Sequence, residues 1–590
     1  MKNYVFLLID SLNYSHVKAS KIELMPFLSS LKKEGFSCEN MYSEAPYTEA
    51  ALMSLICGQD VLDYGGYIFR YKDTPLTLFE AMHDKGFETF TNSYEPQCHP
   101  SSVARGIDVS VNGVGYDVGA LWSYRVKHYS QLYHAGKITE EDYVILEEII
   151  RDNLVSWLKW TNALINQSFS TSMIGNNAPQ YDPSEVKRQV EEQYHAFLEN
   201  PRGYLEQLLQ AGHSHPIYKI DGFAQRGKIK NREITLFVRQ EFRPLFKRIR
   251  KMDFCLNMKN GSHVLSGPFK QLGRFIRHPN EENLKNVAKA GLLSANSLFD
   301  LDLFDRIDKD CDHFKDSPSL RAEVDYFFDW TTHRSADSKP FFALLHVCDV
   351  HNPEVFFTYD SEDKDLLHKE MLEAQSLLDQ IPKDYYGSLS HDLSLHYIDG
   401  VIQYFYEQLK ARKMGDNTVV IVCADHGFSF SGNPLRDSAV VNLFLENYNI
   451  PFVVTGAGHL GLSIKKLCQS KDIPATICDL VDGVIPDVYT GHSVLRNDKY
   501  DHLKIEYCGG GCPDLGRREL KLASFDEEYF VGTMGTLDDF SDAIISEIYD
   551  LKVDPLQLKN LVGKPHDNEK VQRLFETILE RKRQIQQSVG

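Results

Sequence analysis

The stretch DNTVVIVCADHG, residues 416–427, combines a buried strand with a charged end. Its apolar centre TVVIVC has no polar alternation, which is typical of a strand buried on both faces in a parallel sheet. The strand pattern ends at Asp425 and His426. The beginning of the chain repeats this arrangement, because the apolar run YVFLLI at 4–9 ends at Asp10. Two predicted central strands therefore each end in an acidic side chain.

Further strands and helices alternate along the chain. FFALLHV at 341–347 and IPFVVTG at 450–456 predict two more central strands. Apolar residues at helical spacing predict helices at 25–35 and 395–415, and each of these ends at a glycine. This alternation predicts an α/β fold with a doubly wound, mostly parallel sheet flanked by helices.

Polar side chains follow three of these predicted strands. Asp10, His346 and Asp425 fall at or near the carboxyl ends, where ligands bind in doubly wound folds. Any one of them alone is better explained as a loop-capping or structural residue. Together they favour a metal ion or another cation nearby, because a buried carboxylate without a partner is costly.

The chain is long enough for more than one folding unit, since single cores stop growing at roughly 250 to 300 residues. We expect a catalytic α/β domain in two parts, a mainly helical insertion between them, and a small C-terminal α+β subdomain. The predicted bounds are 1–119 and 336–498 for the catalytic domain, 120–335 for the insertion and 499–590 for the subdomain.

The insertion contains a segment, FVRQEFRPLFKRIRKM at 237–252, in which basic and bulky apolar residues alternate. One interpretation is a surface for an anionic substrate or membrane headgroups. The other is an amphipathic helix that packs its apolar face on the catalytic domain, and this second interpretation is favoured.

Composition excludes several classes of protein. The 590 residues are 42% hydrophobic and 25% charged, as in ordinary folded proteins, and the eleven scattered cysteines suggest no disulfide framework. The formal charge of −19 argues against general nucleic-acid binding. Because no stretch reaches about 18 consecutive apolar residues and the N-terminal run lacks a cleavage site, we expect a cytoplasmic protein without a membrane span.

Thr48 lies in EAPYTEAALMSLICG, with Pro46 ahead of it and a helix-forming run behind it. The pattern predicts Thr48 as the N-cap of a helix. A hydroxyl at a helix N-terminus also lies beside backbone N–H groups that attract an anion, so the same position suits a nucleophile.

Four motifs in a fixed order carry a family resemblance. FLLIDSL, APYTEAALMSLICG, FALLHVCDVHNP and DNTVVIVCADHG together resemble the sulfatase branch of the alkaline phosphatase superfamily. Later segments at 445–458, 472–486, 491–495 and 547–562 look like the family's remaining core strands and its C-terminal subdomain. The resemblance covers roughly residues 1–115 and 340–590 and leaves the central insertion unexplained.

The resemblance implies a divalent-metal site with a nucleophile. By position, Asp10, Asp425 and His426 match metal ligands, and Thr48 matches a nucleophile that also touches the metal. The ion is expected to be manganese, zinc, magnesium or calcium, because carboxylate and imidazole donors suit these ions to different degrees. One ion is expected, and a second is left open.

Two histidines match the family's pair after the central strand. His346 and His351 correspond to residues that contact the transferred group, protonate the leaving oxygen or bind a second metal. His459 falls in a loop that lies over the cleft in relatives, so it is either a substrate contact or a solvated loop histidine.

Departures from the family pattern bear on the substrate. Sulfatases need a Cys or Ser in a C/S-x-P-x-R motif for conversion to formylglycine, whereas this chain has Thr48 followed by Glu-Ala-Ala. An unmodified Thr resembles the phosphoryl-group transferases of the superfamily, such as lipoteichoic acid synthase. Ser11 stands where sulfatases often have a second Asp. A Lys that is typical of the family is missing, and Arg436 and Asn442 are the nearest polar residues that could replace it in substrate binding. Arg436 either holds the substrate anion or is a surface charge.

The sequence thus predicts a metal-dependent phosphodiesterase or phosphoryl-group transferase that acts through a phosphothreonine intermediate. A sulfatase and an inactive binding module are the alternatives. The expected partner is a phosphate ester, such as a glycan, a lipid head group or a nucleotide-activated donor, and no nucleic acid is expected. The sequence does not indicate the oligomeric state.

Overall fold

The computed structural model describes most of the catalytic core and parts of the insertion. The described residues are 1–17, 23–65, 74–91, 105–110, 182–211, 214–220, 320–335, 338–347, 350, 364–381, 389–428, 443–508, 519–536, 544–563 and 568–589, with scattered positions between 140 and 285.

A nine-stranded sheet forms the centre of the molecule. Its strands are β1 (Asn3–Ile9), β2 (Gly35–Tyr42), β3 (Glu88–Thr91), β4 (Val109–Ser110), β5 (Phe341–Val347), β6 (Thr418–Ala424), β7 (Asn449–Thr455), β8 (Leu462–Ile464) and β9 (Cys468–Gln469). The order is β4-β3-β5-β1-β6-β7-β2-β8, and β9 pairs with β2. Only β7 is antiparallel to its neighbours, so the sheet is mostly parallel, as predicted.

The three central strands are almost entirely buried, which explains their continuous apolar sequences. All residues of β5 and β6 are buried, as are all but the first of β1. The predicted strands at 4–9, 341–347, 418–423 and 450–456 are each confirmed to within one residue. Their apolar pattern could not indicate that the last of them, β7, runs antiparallel.

The described α-helices lie between and after these strands in the sequence. They are α1 (Tyr14–Val17), α2 (Pro26–Leu31), α3 (Thr48–Cys57), α4 (Leu78–Asp84), α5 (Pro183–Glu199), α6 (Pro201–Ala211), α7 (Leu320–Thr332), α8 (Lys364–Gln380), α9 (Leu389–Ala411), α10 (Asp472–Asp482) and α11 (Glu569–Val589). The predicted helix at 395–415 corresponds to α9, which begins six residues earlier. The predicted helix at 25–35 is shorter than expected, because β2 begins at Gly35, where a Cβ atom would lie 1.8 Å from the carbonyl oxygen of Val454.

The described parts of the insertion are helical, as α5, α6 and α7 show. In the basic segment, Leu245 and Ile249 are buried in the main core, and the exposed Arg248 contacts Asp379 on α8 at 2.5 Å. These contacts agree with the favoured interpretation of that segment as an amphipathic helix packed on the core. The other residues of the segment include several outside the described part of the chain.

A second sheet follows the catalytic core. Its antiparallel strands are β10 (Leu503–Cys508), β11 (Glu519–Phe525), β12 (Tyr529–Thr536) and β13 (Ile544–Asp550), in that order, and the terminal helix α11 lies against β11 and β12. The predicted domain bounds themselves stay predictions. Among the helices in the described ranges, none has the length and apolar character that crossing a membrane requires.

A buried charge cluster joins α11 to β10 and to the segment that follows α3. The Arg581 guanidinium donates to the two carboxylate oxygens of Glu506 at 2.5 and 3.0 Å and to Asp63 at 2.8 Å. Glu506 also accepts the backbone N–H of Leu62 at 3.0 Å. Since Glu506 and Arg581 are buried, each charge depends on the other for its stability.

Replacing Arg581 by methionine is expected to lower the free energy of unfolding by about 3 to 5 kcal/mol, because it leaves the carboxylate of Glu506 buried without its cation. Urea unfolding followed by circular dichroism measures the change. The matched control is Arg583→Met on the same helix, since Arg583 pairs with Glu580 in solvent and should contribute little. Equal unfolding midpoints for the two variants would show that the buried cluster does not stabilise this junction.

Candidate active site

Thr48 is the first residue of helix α3. The predicted N-cap position is wrong by one residue: Tyr47 is the N-cap, with extended backbone angles, and Thr48 is already helical. The Thr48 hydroxyl contacts side chains outside the helix. It lies 3.3 Å from Oδ2 of Asp10 and 3.3 Å from Nε2 of His426. The candidate nucleophile is thus placed between the ends of two central strands.

The turn after β1 holds Asp10 in place. The Asp10 N–H donates to the carbonyl of Val347 at the end of β5, at 2.9 Å. Ser11 has a left-handed backbone conformation with φ of 58°, which costs roughly 1–2 kcal/mol for a residue with a Cβ. It donates its N–H to Asp425 Oδ1 at 3.1 Å and its hydroxyl to Asp10 Oδ1 at 2.5 Å. Ser11 therefore orients both carboxylates.

The turn after β6 orients His426. Its Nδ1 lies 2.7 Å from the carbonyl oxygen of Gly427, and a carbonyl can only accept, so Nδ1 carries the hydrogen. Nε2 then presents a lone pair. It lies 3.7 Å from Asp10 Oδ1 and 3.5 Å from Asp425 Oδ2. Metal-binding histidines show this arrangement, with one nitrogen fixed by a carbonyl and the other free to bind.

Asn13 joins the two turns. Its side-chain amide donates to the carbonyl of Glu446 at 2.7 Å and accepts the N–H of Phe428 at 2.6 Å. Gly427 packs so closely beneath this junction that a Cβ atom there would lie 2.6 Å from the carbonyl oxygen of Asn447. Sequence reasoning missed Asn13, because a lone Asn after a strand has no distinctive spacing.

The cluster of Asp10, Asp425 and His426 has donors of the kind that bind a divalent cation. Asp10 and Asp425 are both fully buried, and their oxygens lie with His426 Nε2 in a group spanning no more than 4.8 Å. Burial raises the pKa of Asp425, and the neighbouring Asp10 raises it further, whereas His426 and His346 lower it. Two buried carboxylates and an imidazole lone pair converging on one point fit a divalent ion.

His346 lies beside the cluster. It is buried near the end of β5, and its Nε2 is 3.9 Å from Asp425 Oδ2. Its role towards the reacting group stays a prediction. Its predicted partner His351, and the substrate-binding candidates Arg436 and Asn442, lie outside the described residues.

His459 is at the opposite edge of the sheet. It follows β7, and because β7 is antiparallel to β6, its last residue Thr455 pairs with Val420 near the beginning of that strand. The Lys2 ammonium ahead of β1 also contacts the loop after β7, at the carbonyl of Gly456. This placement contradicts the predicted substrate contact.

Two further histidines lie near the site. His391 donates Nε2–H to the carbonyl of Ser11 at 3.1 Å, and its ring lies 5.4 Å from that of His16. Burial lowers the pKa of His16 to about 3 and that of His391 to about 4. No sequence pattern links them, because one lies in a short helix after β1 and the other in the first turn of α9.

A match to a family model shows which protein family the chain belongs to. The family model for sulfatases matches residues 2–257 and 274–484, which is most of the chain. The chain belongs to the sulfatase family. The resemblance to the alkaline phosphatase superfamily is thereby confirmed, and the family is one of enzymes.

Curated relatives of this sulfatase-family chain are distant. An ulvan-active sulfatase from Formosa agariphila is 22% identical over 251 residues, covering 39% of this chain and 46% of that protein. The multifunctional alkaline phosphatase superfamily protein PehA from Trinickia caryophylli is 25% identical over 190 residues, covering 28% of this chain and 35% of that protein. The chain therefore matches less than half the length of these curated relatives.

Among solved structures, the phosphonate monoester hydrolase SpPMH from Silicibacter pomeroyi is similar to this chain. The TM-score is 0.49 at 14% identity, and the alignment covers 99% of this chain and 96% of that one.

Proposed function

We propose that this sulfatase-family chain is a metal-dependent phosphodiesterase or phosphoryl-group transferase that acts through a phosphothreonine intermediate. The observation that carries the proposal is the position of the Thr48 hydroxyl, 3.3 Å from both Asp10 and His426 at the N-terminus of α3. Sulfatases form their nucleophile from Cys or Ser, and Thr48 is neither. An unmodified hydroxyl suits in-line attack on phosphorus.

The proposed metal ligands are Asp10, Asp425 and His426, with Thr48 beside them. A divalent ion held there would stabilise negative charge on oxygen and lower the pKa of a hydroxyl that it contacts. The chain's own contribution is orientation. Ser11 and the carbonyl of Gly427 fix the directions of the donors, so little reorganisation is needed when charge develops.

The reaction divides into two balanced steps. In the first, Thr48 Oγ1 bonds to phosphorus, the bond from phosphorus to the leaving oxygen breaks, and the hydroxyl proton passes along the hydrogen bond towards Asp10. The leaving oxygen takes a proton from His346 or His351. In the second, water or another alcohol attacks the phosphothreonine and gives its proton to that histidine, while the bond from phosphorus to Thr48 Oγ1 breaks and Oγ1 takes back its proton from Asp10. Water gives a hydrolase, and an alcohol gives a transferase.

The role of His346 predicts a leaving-group effect. Replacing His346 by glutamine should lower kcat by about 10²-fold for an alkyl phosphodiester, because a poor leaving oxygen needs a proton donor. For a nitrophenyl ester the rate of the first step should fall much less, because nitrophenolate leaves without protonation. Steady-state kinetics on the alkyl ester and burst kinetics on the nitrophenyl ester measure the difference. An equal loss for both substrates would assign His346 to structure or to metal positioning instead.

A sulfatase is the second candidate, because the family model and the ulvan-active relative both favour sulfate esters. It would have to use Thr48 directly. The third alternative, a binding module without activity, is disfavoured by the buried cluster of Asp10, Thr48, Asp425 and His426, which a binding role does not require.

A substrate panel tests the proposal. The protein, loaded in turn with manganese, zinc, magnesium and calcium, is assayed on nitrophenyl phosphate monoesters, phosphodiesters and sulfate esters. We expect a phosphodiester to have the highest kcat/KM and expect Thr48→Ala to abolish that turnover. If a sulfate ester were the best substrate, the sulfatase alternative would replace this proposal.

A further inference from the structure

Helix α3 carries Thr48 at its first residue and is contacted by two buried residues from a distant part of the chain. These are Ser470 and Lys471, which lie between β9 and α10. We call Ser470 and Lys471 the α3 clamp. The sequence singled out neither residue, because their partners on α3 and beside it lie far away along the chain.

Lys471 contacts a carboxylate at each end of α3. Its ammonium donates to Oδ1 of Asp60, which follows the helix, and lies 3.4 Å from Oε1 of Glu44, which precedes it. The side chains of Lys471 and Glu44 are only 5% and 1% exposed. One buried ammonium therefore joins the segment before α3 to the segment after it.

Ser470 contacts the middle of α3 and the backbone that precedes the helix. Its hydroxyl oxygen accepts the N–H of Glu44 at 3.3 Å and lies 2.6 Å from the hydroxyl oxygen of Ser54. Because Ser54 donates its own hydrogen to the carbonyl of Ala51 at 2.9 Å, Ser470 is the donor in this pair. Ser470 thus holds the backbone of Glu44, and Lys471 holds its side chain.

The charges around the clamp depend on one another. Burial lowers the pKa of Lys471, but Glu44 and Asp60 raise it above its ordinary value, so the ammonium keeps its charge. Burial raises the pKa of Glu44 well above its ordinary value, whereas the attraction of Lys471 lowers it. The attraction is strong because both charges are shielded from water. Moving either end of α3 away from Lys471 would therefore separate a buried carboxylate from this cation, which is costly.

We propose that Ser470 and Lys471 are positioning residues for Thr48. The inference rests on the proposed function, because it takes Thr48 as the nucleophile. The clamp holds α3 before, within and after the helix, whereas Asp10 and His426 are held by the turns after β1 and β6. A small shift of α3 would change the distances from the Thr48 hydroxyl to both of these side chains. Misplacing a reacting group by about 1 Å can slow a reaction about 10²-fold.

Glu44→Gln tests the inference with little risk to the fold. Glutamine keeps the size of the side chain and removes the charge that attracts Lys471. Because no buried carboxylate then remains at this position, the unfolding midpoint in urea should equal or exceed that of the unaltered protein. With the best phosphodiester, we expect kcat to fall about tenfold and KM to change less than about twofold, because a misplaced nucleophile slows the chemical step. A residue that only stabilises the fold would not lower kcat while stability is retained.

Lys504→Gln is the matched control, because Lys504 also donates to Asp60, at 2.6 Å, but from β10 and at only one end of α3. It should keep the kcat of the unaltered protein. Ser470→Ala should lower kcat as Glu44→Gln does. Lys471→Met should lower it too and should also unfold more readily, because Asp60 loses a buried cation. An unchanged kcat in Glu44→Gln, or an equal loss in Lys504→Gln, would overturn the inference.

Thr48→Ala, assayed in parallel, separates this inference from the proposed function. Loss of turnover in Thr48→Ala together with a lower kcat in Glu44→Gln supports both. If Thr48→Ala abolishes turnover while Glu44→Gln keeps the full kcat, the proposed function stands and the clamp has no role in positioning. If Thr48→Ala itself keeps full activity, the proposed function fails, and the clamp positions no nucleophile.

Discussion

Replacing Thr48 by alanine is expected to lower kcat by at least about 10³-fold, the scale seen when a nucleophile is removed from a two-step transfer. Thr48 Oγ1 is the oxygen that we expect to bond to phosphorus, and it lies 3.3 Å from Asp10 and His426. Alanine has a high helix propensity and fits the first position of α3, so the variant should fold normally. Steady-state kinetics on the best phosphodiester, with circular dichroism as a folding check, measures the effect.

Thr48→Ser is the matched control. Serine keeps the hydroxyl and loses only a methyl group, so it should retain much of the activity. If Thr48→Ala and Thr48→Ser lost activity equally, the methyl group or the local packing would be the cause. If Thr48→Ala kept full activity, Thr48 would not be the nucleophile.

Removing the metal, or one of its ligands, is expected to have the second-largest effect. Asp425→Asn keeps the shape of the side chain but removes a buried negative charge. We expect the variant to lose its bound metal and to have a kcat at least about 10³-fold lower. This loss corresponds to several kcal/mol of charge stabilisation in the transition state. A chelator should have the same effect on the unaltered protein, and added metal should reverse it.

The stability of Asp425→Asn distinguishes this account from a purely structural one. Without an ion, burial and Asp10 both disfavour the charged form of Asp425, as its raised pKa indicates. The metal-free Asp425→Asn variant should therefore unfold at a temperature equal to or higher than that of the metal-free parent. A much lower melting temperature, with metal content unchanged, would mean that Asp425 holds the fold together and binds no ion.

Sequence patterns predict the positions of the central strands and bring Asp10 and Asp425 together at the centre of the site. β1, β5 and β6 are buried on both faces, so their sequences are continuously apolar, and parallel strands bring their carboxyl ends to one edge. This is why the sequence alone places Asp10 and Asp425 together. Thr48 was assigned to the same site because the four motifs occur in the family's order.

Features that depend on chain direction and backbone orientation could not be predicted. The apolar run of β7 is the same for a parallel and an antiparallel strand, so the sequence did not show that His459 follows β7 at the opposite edge. The contact between His391 and the carbonyl of Ser11 depends on a left-handed residue that is not glycine, for which the sequence has no signal. Asn13 was missed because a lone Asn after a strand has no distinctive spacing.

The most direct test of the central claim is to stop the reaction during turnover and look for phosphate on Thr48. The protein is mixed with its best phosphodiester, quenched in acid, and analysed by intact-mass and peptide mass spectrometry. We expect a fraction of the chain to carry one added phosphoryl group that keeps the ester's remaining alkoxy substituent, located at Thr48 and absent from Thr48→Ala. An active enzyme with no modified Thr48 would contradict the account.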